Sequence, residues 1–167
     1  MLEIENPTLD MMTELISLLK KNRQTVSTAE SCTGGILATL LTHLPGSSQI
    51  YKGGVSAYSN QMKMSLLGVA AQSLETFGAV SATVAEEMAS GVAYAAKSDF
   101  SISVTGIAGP DGGSKEKPVG TIWCGFFTPT GCYSKHHQLQ GTRENNRWTV
   151  SHLAIEELLL YIKAGTK

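Results

Sequence analysis

The chain carries almost no net charge: 13 basic side chains face 14 acidic ones over 167 residues, a formal balance of −1. Without a field of either sign, nothing steers polyanionic nucleic acid or an anionic bilayer toward it, and no nucleic-acid or membrane partner is expected. No apolar stretch approaches the roughly 18 residues that a spanning helix needs. The opening MLEIENPTLD has acids where an export signal carries basic residues and an apolar core. Cysteine is scarce. Cys32, Cys124 and Cys132 make an odd number with no close pair, which argues against a disulfide framework and against a zinc knuckle. The four histidines form no HExxH pattern. These absences predict a reduced, soluble, cytoplasmic protein with no structural metal. Charged residues are only 16% against 42% hydrophobic, so the chain is not intrinsically disordered. Glycine is the residue in excess, 17 in all, without a collagen period and gathered in a few places.

Apolar spacing predicts a helix over 8–22 and a short buried strand over 24–29, then a helix over 34–44 that is apolar nearly all round. A second strand is expected over 53–59 and a short helix over 61–67. An Ala-rich helix over 84–97 follows, with Thr83 and Glu86 at capping-box spacing. Phe100, Ile102 and Val104 alternate, predicting a strand over 99–105. A Gly/Pro-rich loop, 106–118, leads to a hairpin of 119–127 and 133–140 and a closing helix over 143–163. Helical crossovers imply parallel pairing of the first three strands. The expected fold is one α/β domain over 1–167, a three-layer α/β/α sandwich with a mixed, mostly parallel sheet. Ligands bind such sheets at the carboxyl ends of the strands, so residues 30–35, 58–63 and 105–113 should meet there.

Each of those segments holds chemistry. In Glu30-Ser31-Cys32-Thr33-Gly34-Gly35 a strand ends and a helix begins, and the glycines allow a sharp turn and close approach to a ligand. The N–H groups and dipole of a helix start favour an anion, a phosphate or the oxyanion of acyl transfer. Ser31 is placed as a nucleophile, although Ser31 and Thr33 would also serve simply as helix caps. Cys32 is a rival nucleophile, or a small core residue. No histidine lies in the strand-end segments, so a Ser–His–Asp triad is poorly supported. A lysine can act as base if burial keeps its amine neutral, and Lys63 opens an apolar short helix. Tyr58 could orient that amine or relay a proton; a surface Lys and a half-buried Tyr are the plain alternative. Thr105 and Gly106 open a run whose backbone N–H groups suit a phosphate or ribose. Gly46, Ser47 and Ser48 offer a second anion contact or merely a turn. Neither a P-loop nor a GxGxxG is present.

Together these segments resemble the CinA carboxy-terminal domain family. The resembling stretches are TAESCTGG at 28–35, PGSS at 45–48, YSNQMK at 58–63 with LGV at 67–69, GAVS at 78–81 and SVTGIAGPDGGSKEKPVG at 103–120. The resemblance implies an α/β/α fold, self-association, no metal and no cofactor. It also implies amidohydrolysis of nicotinamide mononucleotide to nicotinic acid mononucleotide and ammonia, in pyridine-nucleotide salvage. Ser31 matches the nucleophile, Lys63 its base and Tyr58 the assisting hydroxyl. Thr33, Gly34, Gly35, Ser48, Thr105, Gly106 and Arg143 match substrate contacts. Where the family often reads Gly-Asp-Arg before its last helix, this chain has Gly141, Thr142 and Arg143. Two other functions fit the same residues: a catalytically silent nucleotide-binding module, and a Ser–Lys amidase for another carboxamide.

Overall fold

The computed structural model describes residues 6–165. The first five residues, part of the segment read above as no export signal, and residues 166–167 lie outside the described residues. In chain order the elements are α1 (Asn6–Asn22), β1 (Val26–Glu30), α2 (Ile36–His43), a short 3₁₀ turn (Ser47–Gln49), β2 (Tyr51–Ser56), α3 (Asn60–Leu67), α4 (Ala71–Phe77), α5 (Ala82–Ala96), β3 (Phe100–Gly106), β4 (Thr121–Thr128), β5 (Gly131–Gln138) and α6 (Arg143–Gly165). The five strands form one sheet in the order β2-β1-β3-β4-β5. β1 is parallel to both β2 and β3, while β3–β4 and β4–β5 are antiparallel. The expected mixed sheet with helices on both faces is therefore found, and its three parallel strands are the ones that carry the candidate site. Among the described residues no helix is long and apolar enough to cross a membrane.

The two faces of the sheet pack differently. On one, Met12, Leu15 and Leu19 of α1, Leu37 and Leu40 of α2 and Val150, Ala154 and Leu158 of α6 bury Val26, Phe100, Ile102 and Phe126 in an aliphatic core. On the other, α5 lies close to the strands because the side chains between them are small. Ser101 and Ser103 donate from β3 to the carbonyls of Ala89 and Ala85, at 2.6 and 2.5 Å. Gly125 of β4 allows that approach: a Cβ there would sit 2.2 Å from the Ala85 carbonyl oxygen. α3 reaches α5 in the same way, since a Cβ on Gly91 would lie 1.9 Å from the carbonyl oxygen of Leu67. Tight seating of α3 on α5 matters because α3 holds Lys63.

Boundaries move where long-range partners decide them. α4 was not expected from the sequence. Ala70 offers it no side-chain cap. Glu87 of α5 supplies one from outside, accepting from Ala70 N–H at 3.0 Å and from the Ser73 hydroxyl at 2.6 Å. β2 begins two residues earlier than expected and ends at Ser56, in register with Glu30. α2 starts at Ile36 rather than at residue 34, because Gly34 and Gly35 both have left-handed backbones, φ +62° and +102°.

Gly91→Ala tests the close seating of α3. In an exposed helix this change would raise stability by about 1 kcal/mol through helix propensity. Here the added carbon meets backbone, and the expected result is a loss of about 2–3 kcal/mol in urea unfolding.

Candidate active site

Parallel register brings three segments level at the carboxyl edge of the sheet. Glu30 is opposite both Ser56 and Val104, so Ser31 just past β1, Ala57 just past β2 and Thr105 near the end of β3 lie side by side. Ser31 N–H donates to the Val104 carbonyl at 2.9 Å and anchors the turn to β3. On the other side, Ser59 caps α3 by accepting from Met62 N–H at 3.2 Å. This cap starts the helix one turn before Lys63 and aims the lysine back under the strand ends.

There, Lys63 Nζ lies 2.9 Å from Ser31 Oγ and 3.0 Å from the Ala57 carbonyl oxygen. The lysine residue is only 2% exposed, and Ser31 9%. Burial disfavours the ammonium and pushes its pKa below the ordinary lysine value of 10.5, with the field of Cys32 acting weakly the other way. As an ammonium the amine donates to Ser31; once neutral, its lone pair faces the serine hydroxyl at the same distance and can take the proton. The rival nucleophile is disarmed by its surroundings. Cys32 is buried, and burial raises its thiol to about 12, so it carries almost no thiolate near neutrality.

The glycine turn after Ser31 is held by charges at both sides. Glu30, itself buried, accepts from Gly35 N–H at 2.9 Å, Leu37 N–H at 3.1 Å and Ala38 N–H at 2.9 Å. Neither Ser31 nor Thr33 caps α2; Glu30 does. This corrects the expectation that the α2 N-terminus faces a ligand, because the carboxylate already meets those donors and the helix dipole. Gly35 therefore has no backbone N–H to offer a substrate. The N–H groups of Thr33 and Gly34 meet no acceptor among the described residues and face no such competition, while that of Cys32 is turned toward its own thiol. Thr33 is fully buried, with its hydroxyl unpartnered among the described residues and its carbonyl accepting from Arg147 Nη2 at 2.6 Å.

The other candidate residues fall in different places. Tyr58 is 66% exposed, and its hydroxyl accepts from Arg143 Nη2 at 3.0 Å rather than touching Ser31 or Lys63. Arg143 Nη1 donates to the Gly109 carbonyl at 2.8 Å, so one guanidinium bridges the tip of β2 and the 106–120 loop. Thr105 is buried and donates to the Ala79 carbonyl at 2.8 Å, which leaves its side chain a structural role. Gly106 lies one residue beyond Thr105, which is level with Ser31, and its lack of a side chain is dictated by Ile122, 2.6 Å from where a Cβ would be. Ser48 does not join this group. It lies in the 3₁₀ turn before β2, at the amino end of a parallel strand, about 15 Å of strand away from the Ser31 end. It lines a separate hollow of about 460 Å³ with Ser47, Tyr51 and Lys52.

Three residues that sequence reasoning did not assign to the site organise it: Glu30, Asn146 and Arg147. Asn146, 1% exposed, donates to the carbonyls of Ala108 and Gly141 at 3.1 and 3.0 Å and accepts from Gly141 N–H at 2.9 Å. With Arg143 and Arg147 it forms one face of the opening turn of α6, and this i, i+3, i+4 polar spacing was the signal available in the sequence. Thr142 caps that turn by accepting from Asn145 N–H at 3.2 Å. It does the work an aspartate could do there, which accounts for the departure from Gly-Asp-Arg.

Lys63→Met tests the burial of the amine. Between its lowered folded pKa and 10.5 the unfolded chain holds a proton that the folded one does not, so wild-type stability climbs with pH through that window. The methionine variant should be more stable than wild type near neutrality, by an advantage that shrinks as pH rises toward 10.5 in urea titrations. An advantage that is constant with pH would contradict the buried, depressed amine.

The sequence and the fold have counterparts in known proteins. The family model for the CinA C-terminal domain matches residues 8–162. A CinA-like protein of Synechococcus elongatus is 48% identical over 143 residues, 86% of this chain and 34% of its own length. One from Fervidobacterium nodosum is 44% identical over 149 residues, 89% of this chain and 36% of its own. The chain thus spans about a third of the length of the curated relatives it matches. Among solved structures, the competence/damage inducible protein CihA from Agrobacterium tumefaciens is 36% identical, with a TM-score of 0.92 over 98% of this chain and 99% of that one. A CinA superfamily protein from Escherichia coli is 33% identical with a TM-score of 0.89, covering 95% and 93%. With the family match over most of the chain and the shared fold in agreement, the chain belongs to the CinA C-terminal domain family.

Proposed function

We propose that this domain is an amidohydrolase that cleaves the carboxamide of nicotinamide mononucleotide, with Ser31 as nucleophile and Lys63 as its base. The observation that carries the reading is the 2.9 Å contact between a buried lysine amine and a serine hydroxyl on a strand-to-helix turn. A surface lysine keeps its proton and cannot act as a base at neutral pH, whereas this one is desolvated. The substrate and the product acid follow from the family resemblance, and with them a cytoplasmic, self-associating enzyme of pyridine-nucleotide salvage.

The steps use few groups. Neutral Lys63 takes the Ser31 proton as the oxygen attacks the carboxamide carbon. Negative charge gathers on the carbonyl oxygen, and the N–H groups of Thr33 and Gly34, left free of acceptors in the turn, are the donors available to it. The C–N bond breaks as the lysine ammonium returns the proton to the departing nitrogen, which leaves as ammonia. Water then gives a proton to Lys63, attacks the acyl-enzyme and releases Ser31 and the acid. Arg143 is the exposed guanidinium at the mouth. It can exchange its bond to Tyr58 for the substrate's phosphate, an anion that suits a planar two-pronged donor. Freed from Arg143, the Tyr58 hydroxyl can turn toward the reacting groups.

Ammonia release from nicotinamide mononucleotide by the purified chain, in EDTA, is the direct test. Ser31→Ala should lower it by at least about a thousandfold while changing nucleotide affinity only a few-fold. Lys63→Arg should be equally inactive, since a guanidinium stays protonated. Nucleotide binding by wild type with no ammonia released would favour the silent module, and release from other carboxamides alone would favour another amidase. The wild-type rate should also rise with pH as Lys63 loses its proton, with a midpoint below 10.5.

A further inference from the structure

The glycine pair at 34 and 35 creates a problem that the chain solves with a residue far away. Gly34, left-handed and without a side chain, puts no steric bar on its own side of the Thr33–Gly34 peptide, and Gly35 continues the left-handed turn. Glu30 holds the far side of the turn through Gly35 N–H. The near side is held by Arg147, whose Nη2 donates to the Thr33 carbonyl at 2.6 Å from 114 residues away. In a trans peptide the C=O and the following N–H point in opposite directions. Drawing the Thr33 carbonyl toward Arg147 therefore turns the Gly34 N–H away from it. That N–H meets no acceptor among the described residues.

Two further observations set Arg147 apart from an ordinary surface cation. A Cβ at Gly34 would lie 3.4 Å from Arg147 Nη2, so the guanidinium sits directly on the turn. Its Nε is buried without a hydrogen-bond partner. A guanidinium enclosed with a donor unsatisfied is a poor way to stabilise a fold. Its field also reaches the residue after the nucleophile, where it draws the Cys32 thiol downward against burial.

We propose that Arg147 is a positioning residue that aims the Gly34 N–H as an oxyanion donor beside Ser31. The proposal rests on the amidase reading above, and its test separates the two. Wild type, Arg147→Met and Arg147→Lys are compared by steady-state ammonia release and by the two three-bond HN–Hα couplings of Gly34, which report its φ, in ¹⁵N-glycine-labelled protein. Gly106, in the ladder of β3, serves as the internal reference. For Arg147→Met the expected kcat falls about a hundredfold, as for the loss of one oxyanion donor, with KM within about threefold of wild type. Its two Gly34 couplings should move from the wild-type pair toward the average of the two peptide orientations, with Gly106 unchanged. Arg147→Lys keeps a donor and a charge and should recover part of both. It also serves if the methionine variant fails to fold, as judged by circular dichroism. An unchanged Gly34 coupling in the folded variants overturns the proposal. So does a changed coupling with unchanged kcat, or a loss expressed wholly in KM. If wild type releases no ammonia from any carboxamide, the amidase reading fails and with it the oxyanion role, while the coupling still decides whether Arg147 aims the peptide.

Discussion

A lysine amine shut away from water against a serine hydroxyl is the contact around which the rest of this domain is arranged. Moving an ammonium out of water costs several kcal/mol, and the group relieves that cost by giving up its proton. Lys63 is placed where burial bears on it in that direction: under the ends of parallel strands, with the Ala57 carbonyl and Ser31 as its polar neighbours. Keeping it there requires α3 to sit hard against α5, and that requires glycine at 91. The small residues on this side of the sheet are thus tied to the chemistry. Across the sheet, large aliphatic side chains supply the apolar burial that a desolvated lysine does not.

The turn after Ser31 faces opposing demands. It must be glycine-rich so that the chain can reverse from strand to helix in few residues, yet glycine leaves the peptides free to rotate. The domain restrains them with side chains of opposite charge. Glu30 occupies the N-terminus of α2 and takes the donors of that helix, while Arg147 draws on a carbonyl two residues beyond the serine. What remains unclaimed lies between them, directly after the nucleophile. A helix start that is open to anions in many α/β folds is here closed by the protein's own carboxylate.

The opening turn of α6 acts as the clasp of the site. Arg143, Asn146 and Arg147 extend from one helical face to Gly109, Ala108 and Thr33, joining the two glycine-rich loops that the sheet only brings near each other. Arg143 carries the same clasp to Tyr58, 85 residues away. In the structure Tyr58 and Arg143 close on each other, so substrate entry and the freeing of the tyrosine hydroxyl are one event in the proposed mechanism.

Much of this was readable without coordinates. Hydrophobic period and glycine placement are local properties, and they determined the α/β class, the crossover that makes the first three strands parallel, and the strand-end segments that hold Ser31 and Lys63; the family resemblance, not the spacing, paired those two residues. Cys32 could be set aside as a nucleophile only once its burial was known, because a thiol's reactivity depends on its surroundings. Tertiary structure alone decided that Glu30 caps α2, that Ser48 stands at the opposite end of the sheet and that Thr105 is spent on Ala79. It alone placed Arg147 on the turn. A capping carboxylate from the preceding strand leaves no periodic trace, and the helical spacing of Arg147 with Arg143 and Asn146 does not say which carbonyl 114 residues away it reaches, because the energy of such contacts depends on where the folded backbone puts two polar groups and not on their spacing along the chain.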